Sequence, residues 1–133
     1  MIVANPLWGI GPGLFDQVFE IYKVPGFYDA FGHSHNDFLN MAVNSGILGL
    51  LAWLGVWGSW FYFVLKAFRQ NQLFKFESRL MLGCILSISG ILVAALFQCY
   101  FTDLENNIAW WFIAALGLHA AIQENKQVNV TES

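Results

Sequence analysis

Gly46-Ile47-Leu48-Gly49-Leu50-Leu51-Ala52-Trp53-Leu54-Gly55-Val56-Trp57-Gly58-Ser59-Trp60-Phe61-Tyr62-Phe63-Val64-Leu65 runs for 20 residues without a charge. At about 1.5 Å per helical residue it covers a hydrocarbon core of roughly 30 Å. Leu80 to Phe101 is a second uncharged run, of 22 residues. Ile108 to Ile122 is a shorter third, of 15 residues, and its Trp110-Trp111 pair suits an anchor in the headgroup layer. Of 133 residues, 57% are hydrophobic and only 11% are charged. Roughly a quarter would be charged in an ordinary soluble domain, which excludes that class. The expected fold is all-α and polytopic, with two to three transmembrane helices at 46–65, 80–101 and 108–122.

The charges between these runs give an expected orientation. Lys66, Arg69, Lys75 and Arg79 stand against Glu77 in the loop 66–79. The turn 102–107 has no Lys or Arg and carries Asp103 and Glu105. Residues 1–45 hold Lys23 against Asp16, Glu20, Asp29 and Asp37. The positive-inside rule therefore puts 66–79 and the tail 123–133 in the cytoplasm, with 1–45 and 102–107 outside. No signal-peptide pattern accounts for translocation of residues 1–45. The simpler expectation is the C-terminal part of a larger polytopic protein.

That outer segment has its own pattern. Asn5-Pro6, Gly9, Gly11, Pro12 and Gly13 make a turn-rich loop. Its Gly-x-Gly-x-Gly is a poor nucleotide fingerprint, because no buried strand precedes it and the third Gly is wrongly spaced. Leu14, Phe15, Val18, Phe19 and Tyr22 then recur at helical spacing, with Asp16, Gln17, Glu20 and Lys23 opposite. This predicts a short amphipathic helix, ended by Pro25-Gly26.

The chemistry-bearing stretch is His33-Ser34-His35-Asn36-Asp37, at the mouth of the first apolar run. So many polar groups beside a membrane span are costly without a task. Ser34-x-x-Asp37 reads as a capping box, which would put His35 in the first helical turn. The positive end of the helix there disfavours imidazolium and attracts anions, as suits proton abstraction beside a phosphate. Further along, Ala42, Ser45, Gly46, Gly49 and Ala52 fall on one helical face and predict close helix packing. Ser87, Ser89, Gly90, Ala94 and Ala95 read the same way. Gln98 is expected to hydrogen-bond to another helix, and His119 to pack or sit at the interface. Cys84 and Cys99 lie 15 apart in one run and cannot bridge. Without a close third ligand beside His33 and His35, no metal is expected.

His35-Asn36, nine residues and then Gly46-x-x-Gly49 is similar to the motif of the O-antigen ligase and polymerase superfamily. Asn5-Pro6-Leu7-Trp8-Gly9-Ile10-Gly11-Pro12-Gly13 resembles that family's lead-in to its large periplasmic loop. Leu50 stands where the ligases typically carry Thr or Tyr. The resemblance implies a metal-independent, inverting glycosyl transfer in the bacterial inner membrane, with no cofactor and no nucleic acid. A glycan on undecaprenyl diphosphate would pass to lipid A-core or to another glycan acceptor. By this resemblance His35 is the catalytic base, and His33, Asn36 and Asp37 orient it or bind substrate. Gly46 and Gly49 are then the structural part of the motif. The family draws on periplasmic arginines to stabilise the leaving diphosphate. Here Arg69 and Arg79 fall on the cytoplasmic side and Lys23 is the one outer cation, so the chain alone is expected to be catalytically incomplete. A polymerase of the same superfamily, a membrane subunit without chemistry and a transporter-like piece are the alternatives. The last lacks ionisable groups within the two long runs.

Overall fold

The structure, a computed structural model, describes residues 1–23, 26, 34–70, 75–101 and 104–131, with the backbone alone at 104 and 125–131. The described residues form four helices and no strand: α1 (Phe15–Tyr22), α2 (Asp37–Arg69), α3 (Phe76–Ala94) and α4 (Leu104–Thr131). The all-α expectation holds. Helices α2 and α3 are long and apolar enough to cross a membrane. They expose Leu51, Leu54, Tyr62, Phe63, Leu86 and Val93, which hydrocarbon would cover.

The chain divides into two compact units, Met1–Gly55 with Ala94–Thr102, and Val56–Val93 with Asp103–Ser133. In the first unit, α1 is the amphipathic helix that the sequence predicts. Phe15 is buried and stacks on Phe19 with ring centroids 5.7 Å apart, while Ile21 faces out. Lys23, in extended conformation, closes the helix and pairs with Glu20.

Gly46 does not act as a packing residue on one helical face. Its φ of 67° and ψ of −170° break α2, in a region essentially restricted to glycine. In an unbroken helix the Ile47 N–H would bond to the Val43 carbonyl. Instead Ile47 N donates to Pro6 O at 2.8 Å, and the carbonyls of Val43 and Asn44 accept from Ile10 N (2.8 Å) and Gly11 N (3.0 Å). The lead-in loop thus satisfies the groups that the break orphans. The fit is too close for side chains on either partner. A Cβ on Gly46 would fall on the Leu7 carbonyl, and one on Gly9 would lie 2.5 Å from Val43 O and 2.6 Å from Gly46 N. Because the helical phase resets at Gly46, the stripe expected from Ala42 to Ala52 is not one continuous face.

The second unit packs the later part of α2 against α3 and α4. Trp57, Trp60, Val64 and Ala67 of α2, Met81, Cys84 and Ile88 of α3, and Trp110, Ala114, Ala120 and Ala121 of α4 are buried. The Trp60 indole N–H donates to Ala114 O at 2.8 Å, which satisfies the polar edge of a buried ring. A side chain at Gly117 would press on Trp60 and Cys84, at 2.8 and 3.0 Å. Trp110 corrects the expectation of an interfacial anchor. It is 3% exposed and packs on Trp57 at 5.8 Å, while half-exposed Trp111 stacks on the same ring at 5.6 Å. By contrast, a Cβ at Gly90 would meet nothing within 4 Å among the described residues. Helix α4 continues past Ile122 to Thr131, and buried Glu124 pairs with Lys75 at 2.7 Å. His119 is exposed beside Gln123. Cys84 and Cys99 are both buried and not in a disulfide.

Candidate functional site

The site lies where the chain enters α2, within the first unit. The helix starts at Asp37, so His35 precedes the first turn. Asn36 rather than Ser34 caps it: Asn36 Oδ1 accepts from Leu39 N at 2.9 Å. The Ser34 hydroxyl donates to the Asn36 carbonyl, also at 2.9 Å. His35 takes φ +50°, a left-handed conformation that costs a non-glycine residue about 1 kcal/mol. Something outside the loop must therefore hold it.

That support is the segment 95–101, which leaves α3 at Ala94 although its apolar sequence runs on to Phe101. Asp37 N donates to Ala95 O at 2.8 Å, and Asn36 Nδ2 donates to Leu96 O at 2.9 Å. In return, the Asp37 carboxylate accepts from Tyr100 N (2.8 Å to Oδ2) and Phe101 N (3.3 Å to Oδ1). Asp37 is 2% exposed, so backbone N–H groups replace the water that a buried carboxylate loses. His35 Nδ1 meets Gln98 Oε1 at 2.8 Å, and the same oxygen accepts from Cys99 N at 3.1 Å. Trp53 stands edge-on between Phe38 (5.1 Å) and Phe101 (5.0 Å), and so ties the helix start to that turn.

The residues singled out in the sequence therefore divide by what their side chains do. Asn36 and Asp37 spend their polar atoms on the scaffold, whereas His35 is exposed. His33 lies outside the described residues. Gly46 forms the break below the site, and a Cβ at Gly49 would collide with Ser45 across it. Burial pushes the Cys99 thiol above its ordinary range, so it stays protonated and is a poor nucleophile.

Sequence reasoning missed the polar line beneath Asp37. Asn40 is buried, and its Oδ1 accepts from Asn44 Nδ2 at 3.2 Å. It also misjudged Gln98, which reaches the loop before α2 rather than another helix. The available signal was composition: Gln98 is the one side-chain amide in the uncharged run 80–101. Cations are scarce here. Lys23 is the one Lys or Arg in the sequence of this unit, and it is paired with Glu20.

The O-antigen ligase family model matches residues 1–54. The matched part contains the lead-in loop, α1, His35-Asn36 and the Gly46 break, so the N-terminal part of the chain carries the O-antigen ligase signature. No curated protein and no solved structure matches.

Proposed function

We propose that this membrane protein supplies the acceptor-activating site of an O-antigen ligase in the bacterial inner membrane. The observation that carries this reading is the exposed His35 imidazole, held on a loop that Asn36 and Asp37 fasten to the turn after α3. The family model matches the part of the chain that carries His35, Asn36 and Asp37. In the proposed step, His35 takes the proton of an acceptor hydroxyl on lipid A-core. The hydroxyl oxygen forms a bond to the anomeric carbon, whose bond to undecaprenyl diphosphate breaks. The leaving diphosphate keeps the electron pair, and attack from the opposite face inverts the sugar centre. Asn36 and Asp37 serve by fixing the loop, and His33 orients the sugar or the acceptor. The leaving charge calls for cations that Lys23, held by Glu20, does not supply alone.

In proteoliposomes, the 133-residue chain given lipid-linked glycan and lipid A-core should yield no product. With periplasmic, arginine-bearing ligase segments added in trans, glycan should appear on lipid A-core and undecaprenyl diphosphate should be released. Glycan lengthened on its own carrier would instead support a polymerase of the same superfamily, the reading that Leu50 favours. Turnover by the chain alone would remove the need for outside arginines.

In this reading the His35 side of the protein faces the periplasm and the basic loop 66–79 faces the cytoplasm. A cysteine at Val3, 93% exposed, should react with a membrane-impermeant thiol reagent in intact spheroplasts. One at exposed Gln70 should react only after the membrane is opened. The opposite labelling pattern would place His35 on the wrong face for a lipid-linked donor.

A further inference from the structure

Gln98 has one amide oxygen and two neighbours. The Cys99 backbone N–H, 3.1 Å away, can only donate, so the atom that it meets must be the oxygen and not the NH2 group. His35 Nδ1 lies 2.8 Å from that same oxygen. An oxygen cannot donate, so Nδ1 must carry the proton. In the neutral ring, the basic lone pair then resides on Nε2.

We infer that Gln98 is a positioning residue that fixes His35 as the Nδ1–H tautomer and makes Nε2 the nitrogen that takes the acceptor proton. Its role in transfer rests on the function proposed above, whereas the tautomer itself does not. Neutral histidine side chains in water prefer the opposite form, with the proton on Nε2. Without Gln98 most neutral rings would carry a proton on the very atom that has to accept one. The same amide oxygen also steadies the imidazolium after proton transfer, because its negative end faces the charged ring. The Cys99 N–H bond holds the carboxamide in place, so its orientation is set before substrate arrives. The bond to His35 joins groups 63 residues apart in sequence, so the turn after α3 governs the chemistry of a loop before α2.

The test is nitrogen-15 NMR of the histidine rings in the full chain, in nanodiscs at alkaline pH without substrate. His33→Gln and His119→Gln variants assign the three ring signals. His35 should show a protonated Nδ1 and an unprotonated Nε2, and Gln98→Leu should turn it to the Nε2–H form. Gln98→Glu, whose carboxylate can accept the same proton, should restore the Nδ1–H form. In the transfer assay, Gln98→Leu should lower kcat about tenfold, the scale of one neutral hydrogen bond lost. Gln98→Glu should recover most of that loss. An Nε2–H ring in the unaltered protein, or an Nδ1–H ring that survives Gln98→Leu, would overturn the inference and leave the proposed transfer untouched. Conversely, undiminished transfer by a His35→Ala protein would end the transfer reading while the tautomer assignment stood.

Discussion

His35→Ala should lower glycan transfer roughly 10²-fold or more, the usual scale of general acid–base help. The case rests on division of labour in the loop. Asn36 and Asp37 are occupied by backbone partners, and buried Cys99 keeps its proton, which leaves His35 as the exposed proton acceptor of the described loop. The imidazole is outside the helix, so its removal should leave α2 and its Asn36 cap intact. Helical content and membrane level of the variant should therefore match the parent. His119→Ala, on the exposed face of α4, should transfer glycan at the parental rate. A well-inserted His35→Ala protein with parental transfer would reduce the imidazole to a fastening for the 95–101 turn.

Gly46→Ala should be strongly destabilising. At φ 67° and ψ −170° an alanine is strained by about 1–3 kcal/mol before any contact is counted. The new Cβ would also overlap the backbone of Leu7 and Trp8, which cannot swing aside as a flexible side chain would. Either the loop leaves or α2 straightens. Loss of the loop forfeits the three bonds from Ile10, Gly11 and Ile47, for a total of about 3 kcal/mol or more, whereas a straightened α2 gives Ile47 a helical partner and forfeits the bonds of Ile10 and Gly11. Thermal unfolding in detergent should show the drop. Amide exchange should locate it, with Ile10 and Gly11 losing protection first. Gly55→Ala is the control, because a Cβ there meets nothing within 4 Å. It should be neutral or gain up to about 1 kcal/mol of helix propensity. Equal stability of the two variants would mean that the break is not a fixed feature of the helix.

These two residues also mark how far the sequence could be read. Apolar periodicity is a local signal, and it located α1 and the apolar stretches of α2 and α3 because hydrocarbon burial acts on each segment by itself. Where a polar partner lies far along the chain, the local signal failed. Leu96, Phe97 and Phe101 look like continued helix, but the Tyr100 and Phe101 N–H groups answer to the Asp37 carboxylate 63 and 64 residues away. Gly46 sits in a run where glycine usually means close helix packing. Only its φ and ψ and the docked Pro6 carbonyl show a broken helix. The His cluster was legible as a candidate site from its polarity alone. Its internal order was not, because Ser34 and Asn36 are equally good caps on paper. The choice between them depends on His35 adopting a left-handed backbone. Trp110 was misplaced for a related reason: an indole suits a headgroup layer and a helix interface alike, and Trp57 decides between them.

The span of 63 residues between His35 and Gln98 also sets a timetable for biogenesis. At about 5–20 residues per second, a ribosome takes roughly 3 to 13 s to travel from one to the other. Through that interval the lead-in loop can already lock into the α2 break, since its partners lie within the first 47 residues. The His35 loop cannot, because the carbonyls and amides of residues 95–101 do not yet exist. Loop closure over such a distance also carries an entropic cost that local helices avoid. The left-handed turn at His35 is thus among the last parts of its unit to mature, and it waits on the insertion of α3. A nascent chain halted before residue 95 would carry an inserted α2 with its histidine untethered and idle.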